Sequence, residues 1–144
     1  MQKPIFTAAI ASLLLAGVAG AATHEVTMRN TGADGAMVFE PAFVAAQPGD
    51  TITFVATDKG HNAETIKGMH PEAAEPFKGK MGKDISVTLT EEGLYGVKCA
   101  PHFSMGMVAL IQVGQPVNRA EIEAAPMKGQ AKQRFAPLLA QVAD

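Results

Sequence analysis

Cysteine is nearly absent from this sequence, since Cys99 is the only one among 144 residues. A chain with a single thiol cannot form an internal disulfide. Cys99 is therefore a buried apolar thiol, half of an intermolecular bridge, a nucleophile or a metal ligand. The residues around it must decide between these four interpretations.

An excess of charge of one sign is also missing. The chain has 12 basic and 14 acidic side chains, and its formal net charge is −2. Domains that bind nucleic acid are normally strongly basic. We therefore expect no nucleic-acid partner. The sequence also contains no internal repeat and no low-complexity segment.

The N-terminal apolar run is too short for a membrane anchor. It extends from Ile5 to Val18, whereas a membrane-spanning helix needs roughly 20 residues. Lys3 precedes the run and Ala19-Gly20-Ala21 follows it, which is the layout of a secretory signal with its cleavage site. We expect residues 1–21 to be a signal peptide and residues 22–144 to form one exported domain without a membrane segment, since domains commonly have about 100 to 150 residues.

Alternating apolar and polar residues predict an all-β domain. Short segments rich in Val, Ile, Thr and Phe predict strands at residues 24–30, 51–57, 84–90, 94–98 and 107–113. The last of these is almost continuously apolar, as expected deep in a sandwich. Turn-forming residues separate the strands, whereas residues 59–83 lack alternation and most of them are expected to form a long loop.

Two helices are predicted after the last strand. Asn118 is expected to cap a short helix that ends at residue 124, and apolar residues at helical spacing predict a second helix over 129–142. Pro137 lies inside the second pattern, where its missing backbone donor should kink or split the helix.

The segment from Lys98 to Met107 concentrates donor atoms that bind soft or borderline metals. It contains a thiolate at Cys99, an imidazole at His102 and a thioether at Met107 or Met105, and the spacing favours Met107. A common centre needs a donor from elsewhere, and the best candidate is His61, which follows a glycine after the predicted strand 51–57. One cysteine, two imidazoles and a weak axial thioether are typical of electron-transfer copper.

The pattern Cys99-x-x-His102-x-x-x-x-Met107, with His61-Asn62 upstream, resembles the copper motif of the cupredoxins. Within them it is most similar to the pseudoazurin family. Further similarity lies in residues 34–41, 58–62, 64–69, 95–99 and 105–107 and in the two-helix tail. The resemblance covers essentially the whole chain after the signal peptide.

This resemblance implies an eight-stranded Greek-key β-sandwich with two C-terminal helices. It implies one type 1 copper bound by His61, Cys99, His102 and Met107. The expected role is a monomeric periplasmic carrier that passes single electrons between redox proteins, with copper nitrite reductase as acceptor and a c-type cytochrome as donor. The lysines expected to orient an acidic partner are Lys59, Lys78, Lys80 and Lys98.

Two positions depart from the family pattern. Ala100 stands where a threonine is expected, so we predict the loss of a hydroxyl that would tie this loop to Asn62 and a shifted reduction potential. Pro137 interrupts the last helix. Met37 is expected to be a core residue, although the resemblance implies that it packs against a ligand imidazole.

Other functions are less well supported by the sequence. No local signature of a cysteine hydrolase surrounds Cys99. A nitrite reductase or multicopper oxidase needs a second, histidine-rich copper centre, but only His24 and His70 remain, and we expect these to be structural or surface residues without a functional role. We therefore do not expect an enzyme. Copper storage or delivery would use the same donors and stays open, whereas zinc accepts a methionine donor poorly.

Overall fold

The computed structural model describes residues 20–144, so all but the last two residues of the predicted signal peptide lie outside the described residues. The described chain contains eight strands and two α-helices: β1 (Thr23–Gly32), β2 (Gly35–Glu40), β3 (Phe43–Ala46), β4 (Asp50–Val55), β5 (Glu64–Thr65), β6 (Ile85–Leu89), β7 (Gly93–Lys98), β8 (Val108–Val113), α1 (Arg119–Ala124) and α2 (Gly129–Leu139). A short 3-10 helix, Phe103–Met105, lies between β7 and β8. Between residues 20 and 144, no helix has the length and apolar character needed to cross a membrane.

The strands form two four-stranded mixed sheets. Their orders are β2-β1-β4-β6 and β3-β8-β7-β5, with parallel pairing between β1 and β4 and between β3 and β8. The predicted fold class, an eight-stranded Greek-key sandwich with two C-terminal helices, is confirmed.

The five strands predicted from alternation are present within two residues of their predicted bounds. In β4, for example, Ile52 and Phe54 are fully buried between the sheets, and Phe54 packs edge-on against Phe39 with ring centroids 5.7 Å apart. Alternation alone did not predict β2, β3 and β5. β3 and β5 are only four and two residues long, too short for a periodic pattern. β5 lies within residues 59–83, most of which were expected to form a long loop.

A second apolar cluster lies on the outer face of the β7 and β8 sheet, where the tail covers it. Ile122 of α1 and Phe135 and Leu138 of α2 are buried there against Leu94 and Leu110. β8 is consequently buried on both faces along its full length. This explains why its sequence is almost continuously apolar.

Two details of the tail differ from prediction. α2 runs unbroken through Pro137 and ends at Leu139 instead of Val142, so the helix is not split. Pro137 removes the one N–H that would donate to the carbonyl four residues earlier, and the helix ends two residues after it. Asn118 does not cap α1 with its side chain. Its side chain accepts a hydrogen bond from the Leu94 N–H at 2.7 Å and donates one to the Leu94 carbonyl at 3.0 Å. Leu94 lies in β7, outside the two residues of that strand that pair with β5.

Asp50 fixes the start of β4. It accepts hydrogen bonds from the backbone N–H groups of Gln47 and Ala22 at 2.9 and 2.8 Å, and its carboxylate also contacts His24 Nε2 at 2.8 Å. These bonds, the one from Gln47 first, lower the pKa of Asp50 from 3.8 to about 2. His24 therefore has a structural partner, and His70 also has one, since its Nδ1 donates to the Pro71 carbonyl.

Candidate metal centre

The loop between β7 and β8, residues 99–107, is closed by its own main chain. The N–H of Cys99 donates to the Met107 carbonyl at 3.1 Å, and the N–H groups of Met107 and Met105 donate to the His102 carbonyl at 3.1 and 3.0 Å. Gly106 ends the 3-10 helix in the left-handed region with φ of 86°, which favours glycine. We call this segment the β7–β8 loop. Its hydrogen bonds hold the ends of two neighbouring strands in a fixed relation.

Three side chains that can bind a metal converge beside this loop. Nδ1 of His61 lies 3.1 Å from Nδ1 of His102, and Sγ of Cys99 lies 3.7 and 3.5 Å from these two atoms. Three atoms at these separations share a point about 2.0 Å from each, close to the zinc–imidazole bond length of about 2.0–2.1 Å. The predicted meeting of His61 with the loop is therefore present, although 38 residues separate it from Cys99.

Asn30 of β1 determines how His61 faces the cluster. Nε2 of His61 lies 2.8 Å from the Asn30 side-chain oxygen. Because that oxygen only accepts hydrogen bonds, Nε2 carries the proton and Nδ1 keeps a free lone pair directed at Cys99 and His102. An imidazole held in this way by a partner on its other nitrogen is typical of metal-bound histidine.

Asn62 ties the β7–β8 loop to the neighbouring loop. Its side-chain oxygen accepts a hydrogen bond from the Ala100 N–H at 2.8 Å, and its Nδ2 donates to Glu64 at 3.1 Å and to the Gly79 carbonyl at 3.2 Å. The tie to Asn62 thus exists through the backbone of Ala100, without the hydroxyl that the family pattern led us to expect. The predicted shift in reduction potential stays a prediction.

Burial favours the neutral forms of the two inner donors, His61 and Cys99. His61 and Cys99 are fully buried. Burial lowers the pKa of His61, and the nearby His102 lowers it further. Burial also raises the pKa of the Cys99 thiol, against smaller effects of hydrogen bonds from the main chain of Asn62 and His102. A bound metal cation would supply the positive charge that favours the thiolate.

The two methionines of the loop are clearly distinguished by burial. Met107 is fully buried and belongs to the same sandwich core as Cys99. Met105 is 44% exposed. Met37 packs, partly buried, against the sandwich core. The residues thus fit a site with one thiolate, two imidazoles and a nearby buried thioether, a donor set suited to copper.

Sequence reasoning missed Asn30. It lies on an alternating strand, 31 residues before His61, and nothing in its spacing marks it.

The chain was compared with known proteins. Residues 26–114 match the copper-binding protein family of plastocyanin and azurin. The chain is 57% identical over 94% of its length to a pseudoazurin from Paracoccus pantotrophus, which it covers to 94%, and 45% identical over 97% of both chains to one from Methylorubrum extorquens. The crystal structure of native pseudoazurin from Hyphomicrobium denitrificans superposes with a TM-score of 0.81 at 46% identity, covering 85% of this chain and 99% of that one.

Proposed function

The chain belongs to the pseudoazurins, within the plastocyanin/azurin family of copper-binding proteins, and we propose that His61, Cys99, His102 and Met107 hold its copper. Its cofactor is a type 1 copper, and it is an electron carrier rather than an enzyme, so its partners are other redox proteins. The observation that supports the ligand assignment is the triangle of His61, Cys99 and His102 donor atoms, with sides of 3.1 to 3.7 Å.

A type 1 copper supplies the exchange of one electron, because thiolate and thioether donors suit Cu(I) while imidazole also binds the oxidised ion. The chain contributes a rigid site for the metal that is shielded from water. Cys99 and His61 are fully buried, and the hydrogen bonds of Asn30, Asn62 and the loop main chain hold the donors in place. Donors that cannot move favour the same geometry in both oxidation states.

His102 is the proposed route for the electron. Among the three clustered donors it is the partly exposed one, while His61 and Cys99 are buried. Its neighbours Ala100, Pro101 and Met105 are exposed and uncharged, so a partner protein can approach the imidazole edge without displacing charged groups.

We propose a basic docking face and an acidic partner, copper nitrite reductase as acceptor and a c-type cytochrome as donor, with the carrier itself a monomer. Lys59, Lys78 and Lys80 are exposed. Lys98 lies 3.6 Å from Glu64 and 5.2 Å from the Phe103 ring centre, so part of its charge is already balanced. We expect electron transfer to nitrite reductase to slow as ionic strength rises, and a rate independent of salt would contradict a basic docking face.

We also propose that residues 1–21 direct export to the periplasm and are removed, leaving residues 22–144 as the mature domain. The support is the charged, apolar and Ala-Gly-Ala layout of that segment. N-terminal sequencing of protein recovered from the periplasm should begin at Ala22. Recovery in the cytoplasm with residue 1 retained would overturn this proposal.

The ligand assignment is tested by visible and electron-paramagnetic-resonance spectra of the copper-loaded domain 22–144. We expect an intense thiolate-to-copper band, which Cys99→Ser should abolish while the β-sandwich stays folded. Ser104→Ala changes an exposed residue of the same loop and should leave the band intact. A blue Cys99→Ser protein would refute the assignment. Voltammetry should show a reversible couple, and its absence would favour copper storage or delivery.

A further inference from the structure

Arg134 of α2 connects the tail to two other parts of the chain. Its Nη1 donates hydrogen bonds to the carbonyls of Met37 at 2.8 Å and Gly106 at 3.4 Å, and its Nη2 lies 3.5 Å from the Asp34 carbonyl. The acceptors belong to the turn between β1 and β2, to β2, and to the β7–β8 loop. One partly buried guanidinium therefore joins segments that are 28 to 100 residues away in sequence.

Two glycines leave room for this side chain. A Cβ atom on Gly106 would lie 2.7 Å from Cδ of Arg134 and 2.8 Å from Cγ of Gln130, and one on Gly35 would lie 3.2 Å from Nη2 of Arg134. Both glycines also have positive φ, 86° and 113°. At Gly106 the β7–β8 loop thus approaches α2 more closely than a residue with a side chain would allow, and the contact at Gly35 is also tight.

The contact between Arg134 and Gly106 bears on the metal centre because Gly106 immediately precedes Met107. The main chain of Met107 is bonded to Cys99 and His102, within the loop itself. Arg134 instead fixes the loop from outside it. The rigid, planar guanidinium donates in fixed directions, so it restrains the peptide unit that leads into Met107.

We propose that Arg134 is a positioning residue for Met107, through which α2 sets the length of the axial bond to copper. This inference rests on the proposed assignment of Met107 as the axial ligand. Because the axial ligand tunes the reduction potential of such sites, a small displacement of residue 107 alters the relative affinities for Cu(II) and Cu(I).

Arg134→Gln removes the bridging donors, and Arg134→Lys keeps the charge but presents its donors from one atom. Lys132→Gln is the matched control, because Lys132 is exposed on the same helix and its replacement removes the same charge. The measurements are the reduction potential, the relative intensities of the thiolate-to-copper bands, and unfolding of the copper-free protein. We expect Arg134→Gln to change the ratio of Cu(II) to Cu(I) affinity at least threefold, a shift of about 28 mV because tenfold equals 59 mV. Arg134→Lys should shift the potential less, and Lys132→Gln should leave potential and spectrum unchanged.

A purely structural arginine would lower the stability of both oxidation states equally and leave the potential unchanged. Wild-type potential and spectrum in Arg134→Gln, or in Arg134→Lys if the glutamine variant does not fold, would therefore overturn the inference even if unfolding became easier. An equal shift in Lys132→Gln would also overturn it, since general loss of positive charge would then be the cause. Failure of the proposed function is recognised separately, because the wild-type protein itself would then lack the blue band and the reversible couple.

Discussion

Replacing Asn30 by alanine removes the hydrogen bond that orients His61. The Asn30 oxygen accepts this bond from Nε2 at 2.8 Å, and His61 is fully buried. Without Asn30 the proton is no longer held on Nε2. The imidazole then also populates the tautomer with its proton on Nδ1, which cannot bind a cation at that atom.

The expected loss of copper affinity follows from this contact. Removing the partner that orients a metal-bound histidine commonly weakens metal binding by about 10- to 100-fold, which corresponds to about 1.4 to 2.7 kcal/mol. An unpaired buried hydrogen-bond donor costs a similar amount, about 1 to 3 kcal/mol. The structure therefore predicts a loss of at least tenfold for Asn30→Ala.

Competition titration with a copper chelator measures this loss. Thr31→Ala, on the next and likewise exposed residue of β1, is the control and should keep wild-type affinity. Asn30→Asp retains an acceptor oxygen and adds negative charge, so it should retain copper and lower the reduction potential by stabilising Cu(II). An affinity of Asn30→Ala within twofold of wild type would refute the role of this hydrogen bond.

Three further predictions concern the axial ligand, acid stability and the tail. Met107→Leu should keep copper but raise the reduction potential, since leucine cannot bind the ion; a change with Met105→Leu instead would identify Met105 as the ligand. Asp50 has a pKa of about 2 in the folded protein, below its ordinary 3.8, so its contribution to stability is present above pH 3.8 and disappears as the pH falls towards 2. Asp50→Asn should remove this part of the pH dependence in denaturant titrations, and an unchanged profile would contradict it. Phe135→Ala should destabilise the copper-free protein by about 3 to 5 kcal/mol in chemical unfolding, because Phe135 is 3% exposed beneath α2; a loss below 1 kcal/mol would show that the tail adds little.

The β7–β8 loop was the most predictable part of the site. Cys99, His102 and Met107 fall within nine residues, and their donor chemistry can be recognised without knowing the fold. His61 lies on a distant loop. Its position after a glycine made it only a candidate ligand, and the family resemblance made it the predicted one. Asn30 and Arg134 escaped prediction because each is an ordinary polar residue on a regular element. Their roles come from contacts across 31 and 97 residues.

Strands could be predicted where burial produces a recognisable pattern of apolar residues. They could not be predicted where only backbone pairing defines the strand. Alternation located β4, which buries one face, and a nearly continuous apolar run located β8, which buries both. β5 consists of two residues paired with Lys98 and Val97. A strand of two residues is too short to show a periodic pattern of side chains. The end of α2 was also misplaced, since the apolar stripe continues to Val142 while the helix ends at Leu139.

β8 pairs with β3 on one side and β7 on the other, and both of its faces are covered. A strand enclosed on four sides exchanges its amide hydrogens with solvent only when the protein opens on a large scale. We expect the slowest-exchanging amides in this strand, directly after Met107. This strand would then hold the Met107 end of the β7–β8 loop in place before copper binds.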